Sequence, residues 1–538
     1  MEQYADRLYK STSIFTAETL QVTSGAVAVK GEKILAVGPV DKLQKYVNDS
    51  TEIVECGDST ILPGFHDSHV HFILGAIQND EDLGFDLSDC KSMKECVDRA
   101  KKFADAHPDN PWVYGKGWNE NAWEEGCMPD RKYLDEVIPD RPVYMCSWDL
   151  HSGWVNKKAL EIMGWNKDTK DLENGWLIHY EDGELSGLVR EPGFCEPLNN
   201  IALNCPDIHA TVKKAIKEAN KCGVTSLGNV HPYGNISEEE TIKIFKDLED
   251  NGDLTLRLHL FMELKKDLSG IKETEKKLTS DMLHVSGLKL ITDGVCESHT
   301  GYLLEPYEDQ PESRGELQIS KEELTEMLKI ADAAGYSVRL HCIGNGAVRN
   351  ALDAFEDVQK VNGRKGLRHA IEHIESCSPE DIPRFAQLGI MISMQPMHTT
   401  AAIDYYETLL GEKWKPYFWP IKSLMDAGAI LTCGTDYPVV GIKPMETVYA
   451  AITRQDFDGN PENGFIPEQK ISLAEVLQGF TYGSALVANY EKKIGTLTSG
   501  KYADMVIMDR DLFNSTPQEI LHSEVMETLV GGKVVYEA

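Results

Sequence analysis

No Cys-x-x-Cys pair occurs in the chain, and its twelve cysteines are scattered along 538 residues. That spacing argues against a disulfide framework or a zinc knuckle and predicts reduced thiols in a cytoplasmic protein. No apolar run approaches the ~18 residues that a membrane span requires. The opening MEQYADRLYKSTSIFTAE mixes charges of both signs, without the apolar stretch and small-residue cleavage site of a secretory signal. Basic residues are scarce: 54 Lys and Arg stand against 87 Asp and Glu, a formal charge of −33. Such a surface repels phosphate backbones and anionic lipid, so neither nucleic acid nor membrane is an expected partner.

The remaining composition, 41% hydrophobic and 26% charged, is that of a soluble globular protein, long enough for one large domain with insertions or for two to three domains. Short β-branched runs ending in Gly, His or Asp recur at 59–72, 223–230, 254–260, 285–294, 336–344, 367–375, 389–398 and 429–439. Segments with helical apolar spacing separate most of them, several opening on Ser and closing on Gly, as in SKEELTEMLKIADAAG. Strands alternating with helices predict parallel βαβ units, and eight of them predict a (β/α)8 barrel of the TIM type in the α/β class.

The ends do not fit that pattern. Residues 1–58 and 490–538 carry short strand-like runs with Gly turns, such as AVAVKGEKILAVG and ETLVGGKVVYEA, and are expected to combine into one small β-sandwich. Barrel strand 1 falls at 59–74 and the rest of the barrel at 211–489. The intervening 75–210, rich in Trp, Gly and Asp, far exceeds an ordinary connection of ~2–6 residues. It reads as an insertion that shapes a substrate pocket.

PGFHDSHVHF, residues 63–72, is the densest chemical signal. On a strand His69 and His71 share a face with Asp67, while His66 points the other way and reads as structural. Two imidazoles on one face can share a metal ion, but a His-x-His pair alone is weak evidence. Strand ends in a barrel converge on one mouth, and metal-capable groups at the other ends are Lys289, His341, His373 and Asp436. Each has a plainer reading: core histidines for His341 and His373, a turn cap for Asp436, a pair with Asp293 for Lys289.

Taken together these residues resemble the amidohydrolase superfamily, whose pattern is a first-strand His-x-His, a fourth-strand Lys, fifth- and sixth-strand His and an eighth-strand Asp. The stretches GKGWNENAW, LKLITDGV, VRLHCIGNGAV, IEHIE and GTDYPV are most similar to its amidohydrolase 3 branch, which includes N-substituted formamide deformylases. Two stretches depart from it: DGVCESHTGYLLEPY carries Cys296, Glu297 and His299 where members tend to have small or hydroxyl residues, and GNVHPYG stands where a His-Asp pair is common.

The resemblance implies one divalent ion, zinc by ligand type, on His69, His71 and Asp436, and a second on His341 and His373. It implies a carbamylated Lys289 bridging the two, and Asp436 moving a proton from the attacking water to the leaving nitrogen. The implied reaction is hydrolysis of a C–N bond, in an N-formyl, N-acyl or cyclic amide of a small molecule. A homodimer is common among members. Trp118, His151, His231, His299 and Arg454 are candidate substrate contacts, each with a packing or surface role as its alternative. A deaminase on the same scaffold and a non-catalytic relative remain the competing readings.

Overall fold

The computed structural model describes all residues except 1–3, 125, 149–150, 172–174, 191–196, 198–199, 202–203, 232–235 and 402–405. The chain divides into two compact units, one of residues 1–70, 216–231 and 251–538, the other of 71–215 and 232–250.

The first unit holds an eight-stranded parallel sheet: β1 Phe65–Val70, β2 Val224–Val230, β3 Arg257–Glu263, β4 Leu283–Ile291, β5 Val338–Cys342, β6 Ala370–His373, β7 Met391–Met394 and β8 Leu431–Cys433. The strands pair in chain order. A parallel bridge between Val70 and Tyr437, just past β8, closes β8 onto β1 and makes the sheet a barrel. Residues next to the inward polar groups, Leu288, Leu340, Ile371 and Ile392, are fully buried on the opposite strand face, as the two-residue period requires. The connecting helices obey the punctuation read from the sequence. In Lys321–Ala334, Ser320 accepts from Glu323 N–H and Gly335, at φ +92°, ends the helix.

The run read as one strand at 59–72 is two. Thr60–Pro63 belongs to the terminal sheet, and β1 starts after Gly64. A Cβ on Gly64 would lie 2.2 Å from the Thr225 side chain, so the chain can change sheets here only because the residue is glycine.

Both chain ends share one mixed sheet, joined where Thr60–Pro63 pairs antiparallel with Met505–Met508. Two of its pairings are parallel, Arg7–Phe15 with Glu52–Glu55 and with Thr60–Pro63. The chain crosses over through residues 39–51 and returns in the same direction, which the local strand pattern does not reveal.

The second unit has its own six-stranded sheet, in the order Trp176–His179, Leu185–Arg190, Ser152–Val155, Val143–Ser147, Val113–Trp118 and Gly84–Asp86. Trp118, Trp123 and Trp154 lie in its core with Leu134 and Val143. Among the described residues no helix is long and apolar enough to cross a membrane.

Candidate metal centre

His69 sits near the end of β1 and is buried. Its Nδ1 lies 2.6 Å from Glu372 Oε2 and its Nε2 lies 3.4 Å from Asp436 Oδ1. Burial, reinforced by the nearby Lys289 charge, pushes its pKa down to about 4, which keeps the ring neutral and its lone pair available. His71 follows β1 as the residue before helix Phe72–Gln78, and its side chain makes no capping bond to that helix. Ligand atoms of His69, His71 and Asp436 fall within 4.8 Å of one another, a spacing that can hold a metal ion.

Asp436 is set in place by the seam between β1 and β8. Its N–H donates to His69 O at 2.8 Å. Asp67, for which the sequence suggested no task, accepts from Thr435 N–H at 3.0 Å and from Thr435 Oγ1 at 2.5 Å. A Cβ on Gly434 would stand 2.7 Å from His69 Cβ, so the close approach of the two strands requires glycine. Asp436 and His373 adopt positive φ, +61° and +68°. Both backbones are held in a region that non-glycine residues rarely occupy, as is common at functional sites.

A second group comprises His373, His398 and again Asp436, with ligand atoms within 4.8 Å. His373 Nδ1 lies 3.8 Å and His398 Nε2 3.9 Å from Asp436 Oδ2. The two carboxylate oxygens of Asp436 thus face different histidine sets. His341 packs its ring against His373 at 4.5 Å between centroids, while its Nε2 lies 3.4 Å from Gly294 O. It is in neither ligand group.

Lys289, on β4, is buried. Burial lowers its pKa to about 8 against the raising influence of Glu372 and Asp436. Among the described residues it forms no ion pair with Asp293, whose carboxylate instead accepts three backbone N–H groups, from Tyr302, Ile343 and Gly344. Beneath His69, Glu372 is fully buried and pairs with Arg339 Nε. The same guanidinium donates to Ser68 O and Ser393 Oγ. Burial works against ionisation of Glu372, but Arg339 and His69 hold its carboxyl well below the usual range.

Glu372 and His398 were missed in the sequence. IEHIE and MISMQPMH both carry the signal, an ionisable group at a strand end. His66 stacks on His259 at 4.5 Å.

The candidate substrate contacts are dispersed. Trp118 is fully buried in the second unit, its Nε1 donating to Met145 O, so it packs the core of that unit instead of presenting a face to substrate. Arg454 is likewise buried, its guanidinium donating to the carbonyls of Phe465, Trp419 and Phe418. That arrangement leaves neither a surface salt bridge nor a carboxylate clamp, and the residue ties together the backbone at 418–419 and 465. His299 pairs with Asp309 at 2.9 Å and packs on Tyr307. His231 follows β2, its N–H donating to Phe261 O; residues 232–234 of GNVHPYG lie outside the described residues. His151 is partly buried in the second unit, at the start of a strand-forming segment.

A parallel barrel with two histidine groups sharing one aspartate at its strand ends defines a metal-dependent hydrolase architecture. The model of the amidohydrolase family, Amidohydro_3, matches residues 52–536, and the chain belongs to that family. It is 30% identical to Protein LONG AFTER FAR-RED 3 of Arabidopsis thaliana, over 99% of this chain and 92% of that protein. It is 22% identical to the N-substituted formamide deformylase of Arthrobacter pascens, over 100% of this chain and 99% of the relative. A metal-dependent hydrolase from Pyrococcus horikoshii shares the fold with a TM-score of 0.76 at 24% identity, covering 95% of this chain and 99% of that one.

Proposed function

We propose that the protein hydrolyses a C–N bond in a small N-formyl, N-acyl or cyclic amide. The observation that carries this reading is Asp436, whose carboxylate faces His69 with one oxygen and His373 and His398 with the other. The similarity to an N-substituted formamide deformylase supports it.

The donors fit a metal. Imidazole nitrogens and a carboxylate are borderline ligands suited to zinc. His373 Nδ1 is buried and has no hydrogen-bond partner among the described residues, as expected of an atom that would face an ion. His69, His71 and Asp436 would hold one ion, and His373, with His341 beside it, a second. When bound, a divalent ion lowers the pKa of water toward ~7 and polarises a carbonyl.

The chain's own residues supply the rest. Glu372 takes the Nδ1 side of His69 and so leaves Nε2 to face the site. Asp436 accepts a proton from the attacking water at a carboxylate oxygen and returns it to the leaving nitrogen. Lys289, buried and unpaired with Asp293, is held partly as the neutral amine. That amine would add to carbon dioxide, forming an N–C bond and releasing a proton to leave a carbamate.

A panel of N-formyl, N-acyl and cyclic amides, assayed with zinc-loaded protein and with Asp436→Asn beside it, tests the proposal. Release of amine and acid from at least one amide, lost in the variant, is the expected result. Release of ammonia from amino-heterocycles, with the amides untouched, would establish a deaminase in its place.

A further inference from the structure

His398 follows β7 and opens the short helix His398–Ala401. Its side chain is 11% exposed, and its Nδ1 lies 3.5 Å from Glu375 Oε1. The other oxygen of Glu375 takes the hydroxyl of Tyr406, which is fully buried. With Nδ1 turned to a carboxylate that is itself anchored, the imidazole presents its Nε2 to Asp436. This carboxylate–histidine arrangement is how proteins fix the tautomer and direction of a ligating ring.

Nε2 of His398 and Nδ1 of His373 are both buried and have no hydrogen-bond partner among the described residues. They face the same Oδ2 of Asp436 from 3.9 and 3.8 Å. These separations are too long for hydrogen bonds. They approach the ~3.4 Å between neighbouring donors in a tetrahedral site with bonds of about 2.0–2.1 Å. Two imidazole nitrogens and a carboxylate oxygen converge here in a buried space, within 4.8 Å of one another, an arrangement that a cation between them would satisfy.

We propose that His398 is a metal ligand, completing with His373 and Oδ2 of Asp436 a second cation site backed by Glu375 and Tyr406. Asp436 would then offer one carboxylate oxygen to this ion and the other to the ion on His69 and His71. The assignment rests on the metal-dependent reading above but not on the C–N substrate class. It gives the second ion a donor that the strand-end pattern omits.

The test is zinc binding by the full chain, stripped with chelator and titrated with zinc alone, with thermal melting as a check on folding. The intact chain is expected to take two zinc ions, His398→Gln one, His71→Gln the other one, and the double variant none. Glu375→Gln, which keeps every ligand, should weaken one of the two sites ~10–100-fold and leave the other unchanged. That variant decides the matter should His398→Gln not fold. Zinc number and affinity unchanged in both folded variants would overturn the proposal. No zinc on the intact chain would overturn the metal-dependent reading itself, and this proposal with it.

Discussion

Glu372 Oε2 lies 2.6 Å from His69 Nδ1, while its other oxygen takes the Nε of Arg339, and all three side chains are buried. One carboxylate therefore orients a proposed ligand and neutralises a buried guanidinium. Glu372→Gln should weaken the metal held through His69 by ~10–100-fold, seen in a zinc titration. Glu372→Leu also strands the Arg339 charge and should cost about 3–5 kcal/mol in urea unfolding.

Gly434 is a test of geometry without chemistry. A Cβ there would meet His69 Cβ at 2.7 Å and His69 N at 2.8 Å. Gly434→Ala removes no ligand, yet it should shift β1 from β8 at a cost of about 1–3 kcal/mol and lower zinc affinity together with activity. A variant with normal zinc affinity would show that the seam tolerates the displacement.

Lys289 gives a spectroscopic prediction. In protein equilibrated with ¹³C-labelled bicarbonate, a carbamate carbon resonance should appear, and Lys289→Met should lack it. An intact, metal-loaded chain without that resonance would leave Lys289 an unmodified amine.

The column His66, His259 and His284 predicts acid sensitivity apart from the metal centre. His66 stacks on His259 at 4.5 Å, His259 meets His284 at 4.6 Å, and Tyr490 packs against both of the latter. Burial, then the neighbouring Arg339 charge, lowers His66 to about 3. Burial, then the Lys493 charge, lowers His284 to about 4. Burial also holds His259 well below its usual value. The folded state binds these protons less readily than the unfolded chain, so stability falls as pH drops below about 6.5 and goes on falling toward the folded values. Between pH 7 and 5 the loss is about 2 kcal/mol each for His66 and His284. His66→Leu should therefore flatten the pH dependence of the urea midpoint over that range. An unchanged slope would contradict the assignment.

The eight barrel strands were legible because each combines a short β-branched run with a chemically marked end. The alternation of Leu288 with Lys289 and of Leu340 with His341 gave the strand face directly. The change of sheet at Gly64 was hidden within a continuous apolar run, since it depends on the approach of Thr225, 161 residues further on. The six-stranded sheet of the second unit was also hidden. Its aromatic and glycine-rich segments lack clean alternation, and Trp118, polar at one edge only, looks the same in sequence whether it packs a core or lines a pocket. Arg454 was misjudged for a related reason, because its partners are backbone carbonyls, at Phe465, Trp419 and Phe418, that the local sequence does not mark. His398 and Glu372 were visible as residues, but their tasks come from partners on other strands.

The central claim is that the His69, His71 and Asp436 group binds a metal on which catalysis depends. Zinc content of the purified chain, measured with amide hydrolysis before chelation, after it and after zinc is restored, tests that claim most directly. The account predicts bound metal, hydrolysis lost on stripping and regained on reloading, and neither metal dependence nor activity in Asp436→Asn. A folded chain that holds no metal, or hydrolyses the same amide equally well when stripped, would contradict it.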